Sequence, residues 1–211
     1  MNIESWKQAW EMNKIGFHKS KPHPFLVNHF NQLELVQNSR VFIPLCGKTL
    51  DIAWLLSQGY QVAGAELSHL AIEQLFQEMD MQPTITKLGK VERYSAENID
   101  IFVGNIMDIS IDILGSVDGI YDRAALVALP LELRKLYAQL LIDITDSAPQ
   151  LLITFEYDDS LKSGPAFSVN STEINQHYGD AYGCKLLDSY PLPGGLKGSS
   201  VTTENIWLLQ K

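Results

Sequence analysis

Cysteine is scarce. Only Cys46 and Cys184 occur in 211 residues, far apart, which excludes both a disulfide framework and a four-cysteine zinc site. Both are read as free thiols. No run of about 18 or more apolar residues exists, so no ordinary membrane-spanning helix is expected. The opening MNIESWKQAWEMNK has neither the basic nor the apolar segment of a secretory signal, and a cytoplasmic location follows as the expectation. Positive charge is also in short supply: 16 Lys and Arg against 25 Asp and Glu give a net charge of −9. Such a balance repels polyanions and argues against a nucleic-acid or acidic-membrane partner. Two glycine fingerprints are missing as well, G-x-G-x-x-G and G-x-x-x-x-G-K-[ST]; the second fails because the residue five before Gly47 is Phe42. His23, His29, His69 and His177 form no H-x-x-x-H pattern, so no metal site is expected.

What remains is an ordinary globular composition, 45% hydrophobic and 19% charged, which permits a sizeable core. A length of 211 residues fits one domain. Residues 1–35 read as an extension, with Ile3, Trp6 and Trp10 on one helical face and Pro24 opening a second helix through Phe25, Leu26 and Phe30. From Arg40 onward short apolar runs alternate with helical periodicity, which predicts βα units around a parallel sheet in 36–211. The strands expected are Val41–Leu45, Gln61–Ala65, Ile99–Val103, Val117–Tyr121 and Leu151–Phe155, with two more near Lys185–Tyr190 and Val201–Leu209. Residues 84–94 suggest a small inserted hairpin. Pro130 opens the longest helix, whose Leu133, Leu136, Leu140 and Ile144 share one side. The architecture is therefore α/β: a doubly wound, mostly parallel seven-stranded sheet closed by a C-terminal antiparallel hairpin.

In such sheets ligands sit at the carboxyl ends of the strands. Strand one ends in Pro44-Leu45-Cys46-Gly47, where Gly47 is the residue free to take an unusual backbone angle. Strand two ends in Glu66, nineteen residues past Gly47, where a carboxylate can accept both hydroxyls of a ribose. The fourth ends in Tyr121-Asp122-Arg123, and Arg123 can bind a carboxylate through two hydrogen bonds while Asp122 holds a guanidinium or ammonium. Glu66 and Arg123 together suggest an adenosyl cofactor with an amino-acid tail, S-adenosylmethionine more readily than NAD. Trp6, Trp10 and Phe17 could close over it as an aromatic lid, since a sulfonium is attracted to π faces. Each residue also has a plainer reading: an ordinary turn at Gly47, a solvated acid at Glu66, a structural pair at Asp122 and Arg123, and core packing for the tryptophans. Cys46 reads as a packed thiol and Lys48 as a helix-start residue.

The combination of PLCGKTLD, GAELS and YDRAALVALP, together with the opening W-x-x-x-W, IGFH and the later GPAFSV, resembles the thiopurine S-methyltransferase family, bacterial-type members in particular. The similarity runs from about Trp6 to Trp207. It implies a Rossmann-like class I methyltransferase, a single domain over 1–211 with 1–35 as lid. It further implies S-adenosylmethionine as cofactor and methylation of sulfur on small aromatic or heterocyclic thiols. By motif position Trp10, Leu45, Glu66 and Arg123 would contact the cofactor, Asn105 to Asp108 would lie near its adenine, and Phe17 and His18 would face the acceptor. Asp122 and His18 are the only candidates for a proton acceptor, and a thiol that ionises near neutral pH needs none. The rival readings are an NAD-dependent oxidoreductase, a non-catalytic adenosyl-binding module and a methyltransferase of protein or nucleic acid. A small-molecule acceptor and a monomer are the expectation.

Overall fold

The computed structural model describes residues 6, 8, 10–12, 18–158, 165–196, 199 and 201–211. They form two compact units that divide between Ile120 and Tyr121.

In the first unit residues 6, 8, 10 and 11 are helical and Trp10 is buried. Ile3 and Phe17 lie outside the described residues. Helix α1 (Pro24–His29) starts as the proline predicts, but its cap is the preceding imidazole: His23 Nδ1 accepts from the Phe25 N–H at 3.3 Å. The His23 N–H in turn donates to Asp51 Oδ1 at 2.7 Å. Strand β1 (Arg40–Ile43) and helix α2 (Leu50–Ser57) follow, then β2 (Gln61–Glu66) and α3 (His69–Glu78). Thr49 and Ser68 cap the two helices with their side-chain oxygens, and Gly59 takes a left-handed φ of 82° just past α2. The inserted hairpin is present as β3 (Thr84–Leu88) and β4 (Val91–Ala96), followed by β5 (Ile99–Val103), a short α4 (Ile111–Leu114) and β6 (Gly119–Arg123). The strand order is β3-β4-β5-β2-β1, and Gly119 and Ile120 of β6 register with Val41 and Phe42 on the free side of β1. The β1, β2 and β5 strands run parallel, and the hairpin joins β5 antiparallel. Val41, Phe42 and Ile43 are all buried, the mark of a strand covered on both faces. At the amino ends of these strands, Arg40 donates to the carbonyls of Leu114 and Ser116 and to Asp100.

The second unit begins with the last three residues of β6. Helix α5 (Leu131–Ile144), β7 (Gln150–Glu156), α6 (Ser171–Tyr178), β8 (Gly183–Pro191) and β9 (Thr203–Gln210) follow. The last three strands are antiparallel in the order β7-β9-β8, so the C-terminal hairpin is as expected, with its second strand inside. Trp207 Nε1 donates to Thr154 Oγ1 at 3.0 Å across that inner pairing. The seven strands read from the sequence are all present, joined by the two of the inserted hairpin.

The ends of β1 and β6 and the buried face of α5 differ from the sequence reading. Strand β1 stops at Ile43 because Leu45 turns to a left-handed φ of 46°. Strand β6 is displaced forward, so Asp122 and Arg123 are strand residues. On α5 the expected stripe is split: Leu133 is 38% and Leu136 60% exposed, Leu140 is half-buried and Ile144 buried, while Arg134, Tyr137, Ala138 and Leu141 are buried beside it. Apolar periodicity alone misses part of the buried face, because that face includes an arginine and a tyrosine whose polar ends have partners.

Candidate active site

In the first unit the carboxyl ends of β1, β2 and β5 come together around one carboxylate. Glu66 closes β2, and its side chain folds back over the neighbouring turns. Oε2 accepts the Gly47 N–H at 2.8 Å; Oε1 accepts the N–H groups of Leu67 at 2.7 Å and Ser68 at 2.9 Å. The expected spacing of nineteen residues is therefore a hydrogen bond. A carboxylate has about four lone-pair positions, and three are filled by backbone. One acceptor position, on Oε2, remains. Burial pushes the Glu66 carboxyl above its ordinary range, opposed by the three N–H donors from Ser68, Gly47 and Leu67.

The turn that Glu66 holds is strained. Leu45 and Gly47 both take left-handed φ, 46° and 53°. Gly47 does so without penalty, whereas Leu45 does not, and strain of about 1–3 kcal/mol at a non-glycine residue is characteristic of ligand-clamping loops. No sequence signal marked Leu45 for this conformation. Cys46 between them is buried, its N–H bonded to the Ala65 carbonyl at 2.9 Å. Desolvation, and after it the charge of Glu66, push its thiol well up, so it stays protonated and packs. Lys48 pairs with Glu78 at 2.5 Å, a structural contact at the start of α2.

The third side is the segment after β5. The Gly104 N–H donates to the Glu66 carbonyl at 2.9 Å, and Asn105 Oδ1 accepts from the Met107 N–H at 3.1 Å, shaping the turn through Asp108. Gly104 has φ +150°, and a Cβ there would lie 2.8 Å from Val91 Cγ1. The hairpin thus closes on this segment, and Lys90 of its turn bonds Asp108 Oδ1 at 2.8 Å. A glycine directly after an apolar strand was the available signal for Gly104, and the sequence reading passed over it. Trp10 is buried, and His18 is half-buried.

In the second unit the end of β6 is organised by Asp122. Its carboxylate is fully buried; Oδ2 accepts from the Tyr137 hydroxyl at 2.7 Å and Oδ1 from the Leu126 N–H at 3.2 Å, with the Ala125 N–H also contributing. Between them Ala124 sits at a φ of 62°, a second non-glycine residue in the left-handed region immediately after a strand tip. Burial pushes the Asp122 carboxyl up to about 6, against the pull of these donors. Arg123, half-buried, is the last residue of β6. Tyr137, fifteen residues after Asp122, was not singled out from sequence; its signal was a polar tip on α5.

The chain compares with known proteins along its whole length. The sequence model of the family described as Thiopurine S-methyltransferase matches residues 1–210. A relative named thiopurine S-methyltransferase in Xanthobacter autotrophicus is 49% identical over 212 residues, covering 100% of both chains. One of the same name in Gluconobacter oxydans is 44% identical and covers 98% of this chain and 94% of its own. Among solved structures, a 1,6-didemethyltoxoflavin-N1-methyltransferase of Burkholderia thailandensis, with S-adenosylhomocysteine bound, superposes with a TM-score of 0.69 at 14% identity, covering 99% of this chain and 87% of that one. The fold is thus that of S-adenosylmethionine-dependent methyltransferases, as the motifs implied. With the family's pattern matched from end to end, and with the acid of GAELS bonded to the glycine of PLCGK, the chain belongs to the thiopurine S-methyltransferase family.

Proposed function

We propose that the chain is an S-adenosylmethionine-dependent S-methyltransferase acting on small aromatic or heterocyclic thiols, and that residues 1–211 work as one methyltransferase domain. The observation that carries the reading is Glu66. A buried carboxylate fixed by three backbone donors, with one acceptor position left on Oε2, is a ready partner for a ribose hydroxyl. Its family relatives are named for the thiopurine reaction, and the solved neighbour holds S-adenosylhomocysteine on the same fold.

When bound, the cofactor supplies an electrophilic methyl group on a sulfonium. In the first unit Glu66 and the backbone at Leu45 would be its contacts, Trp10 would cover it, and the turn from Asn105 to Asp108 would take the adenine. In the second unit Arg123 would take the carboxylate of the methionine end, as a planar guanidinium does best. Phe17 and His18 belong to the acceptor side. The reaction asks little else of the protein. A thiolate is already nucleophilic, so with the cofactor bound its methyl would pass to the acceptor sulfur, the bonding pair staying on the sulfur of S-adenosylhomocysteine and the thiol proton going to solvent. The side chains contribute by orienting the pair and excluding water. We assign no general base. Asp122 is engaged by Tyr137 and two amides, and His18 is read as an acceptor-side residue. The acidic net charge supports a small-molecule acceptor over nucleic acid or an acidic membrane, and we read the chain as a cytoplasmic monomer.

Calorimetry with S-adenosylhomocysteine tests the site. Wild type should bind, and NADH should not compete; tight binding of NADH in place of the adenosyl ligand would reverse the assignment.

A further inference from the structure

Arg134 lies outside the site described above, yet it has partners on three other segments of the second unit. It projects from the buried face of α5. Nε and Nη2 donate to the two carboxylate oxygens of Glu173 on α6, at 2.6 and 3.2 Å. Nη1 donates to the Leu129 carbonyl at 3.1 Å, in the segment after β6. Cζ of the guanidinium lies over the Phe167 ring, 5.3 Å from its centroid, in the segment after β7. Phe167 in turn donates its N–H to the Val127 carbonyl at 2.7 Å, so the two segments are also joined directly. His177 is a second partner of Glu173, at 3.0 Å.

A buried ion pair is a poor device for stability, because desolvation offsets most of its attraction. Its geometry here serves another purpose. Fork, third donor and flat face are all used at once, which a lysine cannot reproduce. What they connect are two segments at the carboxyl ends of strands, where ligands of α/β sheets bind. The segment it steadies, Pro165-Ala166-Phe167-Ser168-Val169, carries no charge. Ser168 and Val169 are buried, and the half-buried Pro165, Ala166 and Phe167 suit the flat, apolar body of an aromatic thiol and not the charged tail of the cofactor.

We propose that Arg134 is a positioning residue for the thiol acceptor, fixing the segments after β6 and β7 in the arrangement that receives an aromatic ring. The inference rests on the proposed function and adds the element that selects the acceptor. Glu173 fixes the fork, and Phe167 transmits the position.

The test compares wild type with R134M, R134K and E173Q, using thiophenol as acceptor. Four quantities are measured: kcat, KM for thiophenol, Kd for S-adenosylhomocysteine, and hydrogen exchange at the Phe167 amide. R134M should raise the thiophenol KM at least fivefold and speed Phe167 exchange about tenfold, with the S-adenosylhomocysteine Kd changed less than twofold. R134K should fall between R134M and wild type, keeping the charge toward Glu173 without the fork. An unchanged thiophenol KM, or a cofactor Kd that rises in step with it, overturns the inference. Should R134M fail to fold, E173Q, which keeps an oxygen acceptor but removes the charge, is held to the same readings. A wild-type protein that binds S-adenosylhomocysteine yet leaves thiophenol unmethylated fails the parent reading before any variant is compared, and the inference falls with it.

Discussion

Two buried carboxylates, Glu66 and Asp122, each sit at a strand tip and each hold a turn containing a non-glycine residue with positive φ. Their chemistry differs in what they have left to give. Glu66 retains an acceptor position; Asp122 is engaged by a phenol and backbone amides. Replacing Glu66 by Ala should weaken S-adenosylhomocysteine binding by about 1–3 kcal/mol, through loss of a charged hydrogen bond and release of the Gly47, Leu67 and Ser68 N–H groups. Calorimetry checks it, and an unaltered affinity removes Glu66 from the site. For Asp122 the folded carboxyl titrates at about 6 against an ordinary value of 3.8. The native state therefore holds this proton more tightly than the unfolded chain. Stability from this group is fully present below about pH 4 and is lost as pH rises through about 6, a difference of order 3 kcal/mol. Urea unfolding of Asp122→Asn across pH 4–7 should show a smaller decline than wild type. An identical pH slope would place the titration elsewhere.

At the scale of elements, α5 separates packing from pattern. Tyr137→Phe removes the hydroxyl that bonds Asp122 and should destabilise by about 1–3 kcal/mol, leaving a buried acceptor short of a donor. Leu136→Lys, one residue earlier, should change stability by no more than about 0.5 kcal/mol, because that side chain faces solvent. Denaturant titrations of the pair check the helix's orientation; the reverse ranking would restore the leucine stripe to the core. Strand β2 offers a third case. A Cβ on Gly64 would meet Ile101 Cδ1 at 2.6 Å and Cys46 Sγ at 2.9 Å, so Gly64→Ala should lose about 1–3 kcal/mol by overpacking, read as a lowered denaturation midpoint.

These elements also show what the sequence makes legible. The parallel strands were readable because each is a short apolar run ended by a turn residue, and the helix starts at Thr49 and Ser68 because a capping oxygen is a local feature. Glu66 was readable from its distance to Gly47, since the spacing of adjacent βα units is nearly fixed. The conformation of Leu45, the partner of Asp122 and the buried face of α5 were not. Each depends on contacts that form only after folding, and a periodic leucine pattern outweighs one arginine and one tyrosine when burial is judged by hydropathy alone.

For the molecule as a whole, the central claim is a single reaction: transfer of a methyl group from S-adenosylmethionine to the sulfur of a small aromatic or heterocyclic thiol. The family match over residues 1–210 and the shared methyltransferase fold support it, and the Glu66 clamp supplies the chemical reason an adenosyl ligand would be held. The most direct test follows the methyl group itself. The protein is incubated with methyl-labelled S-adenosylmethionine and a panel of aryl and heterocyclic thiols beside matched phenols and amines, and products are identified by mass spectrometry. The account predicts labelled S-methyl thioethers and S-adenosylhomocysteine in equal amounts, with Glu66→Ala slowed in proportion to its lost affinity. Label found on oxygen or nitrogen, or none transferred by a protein that binds the cofactor, would contradict it.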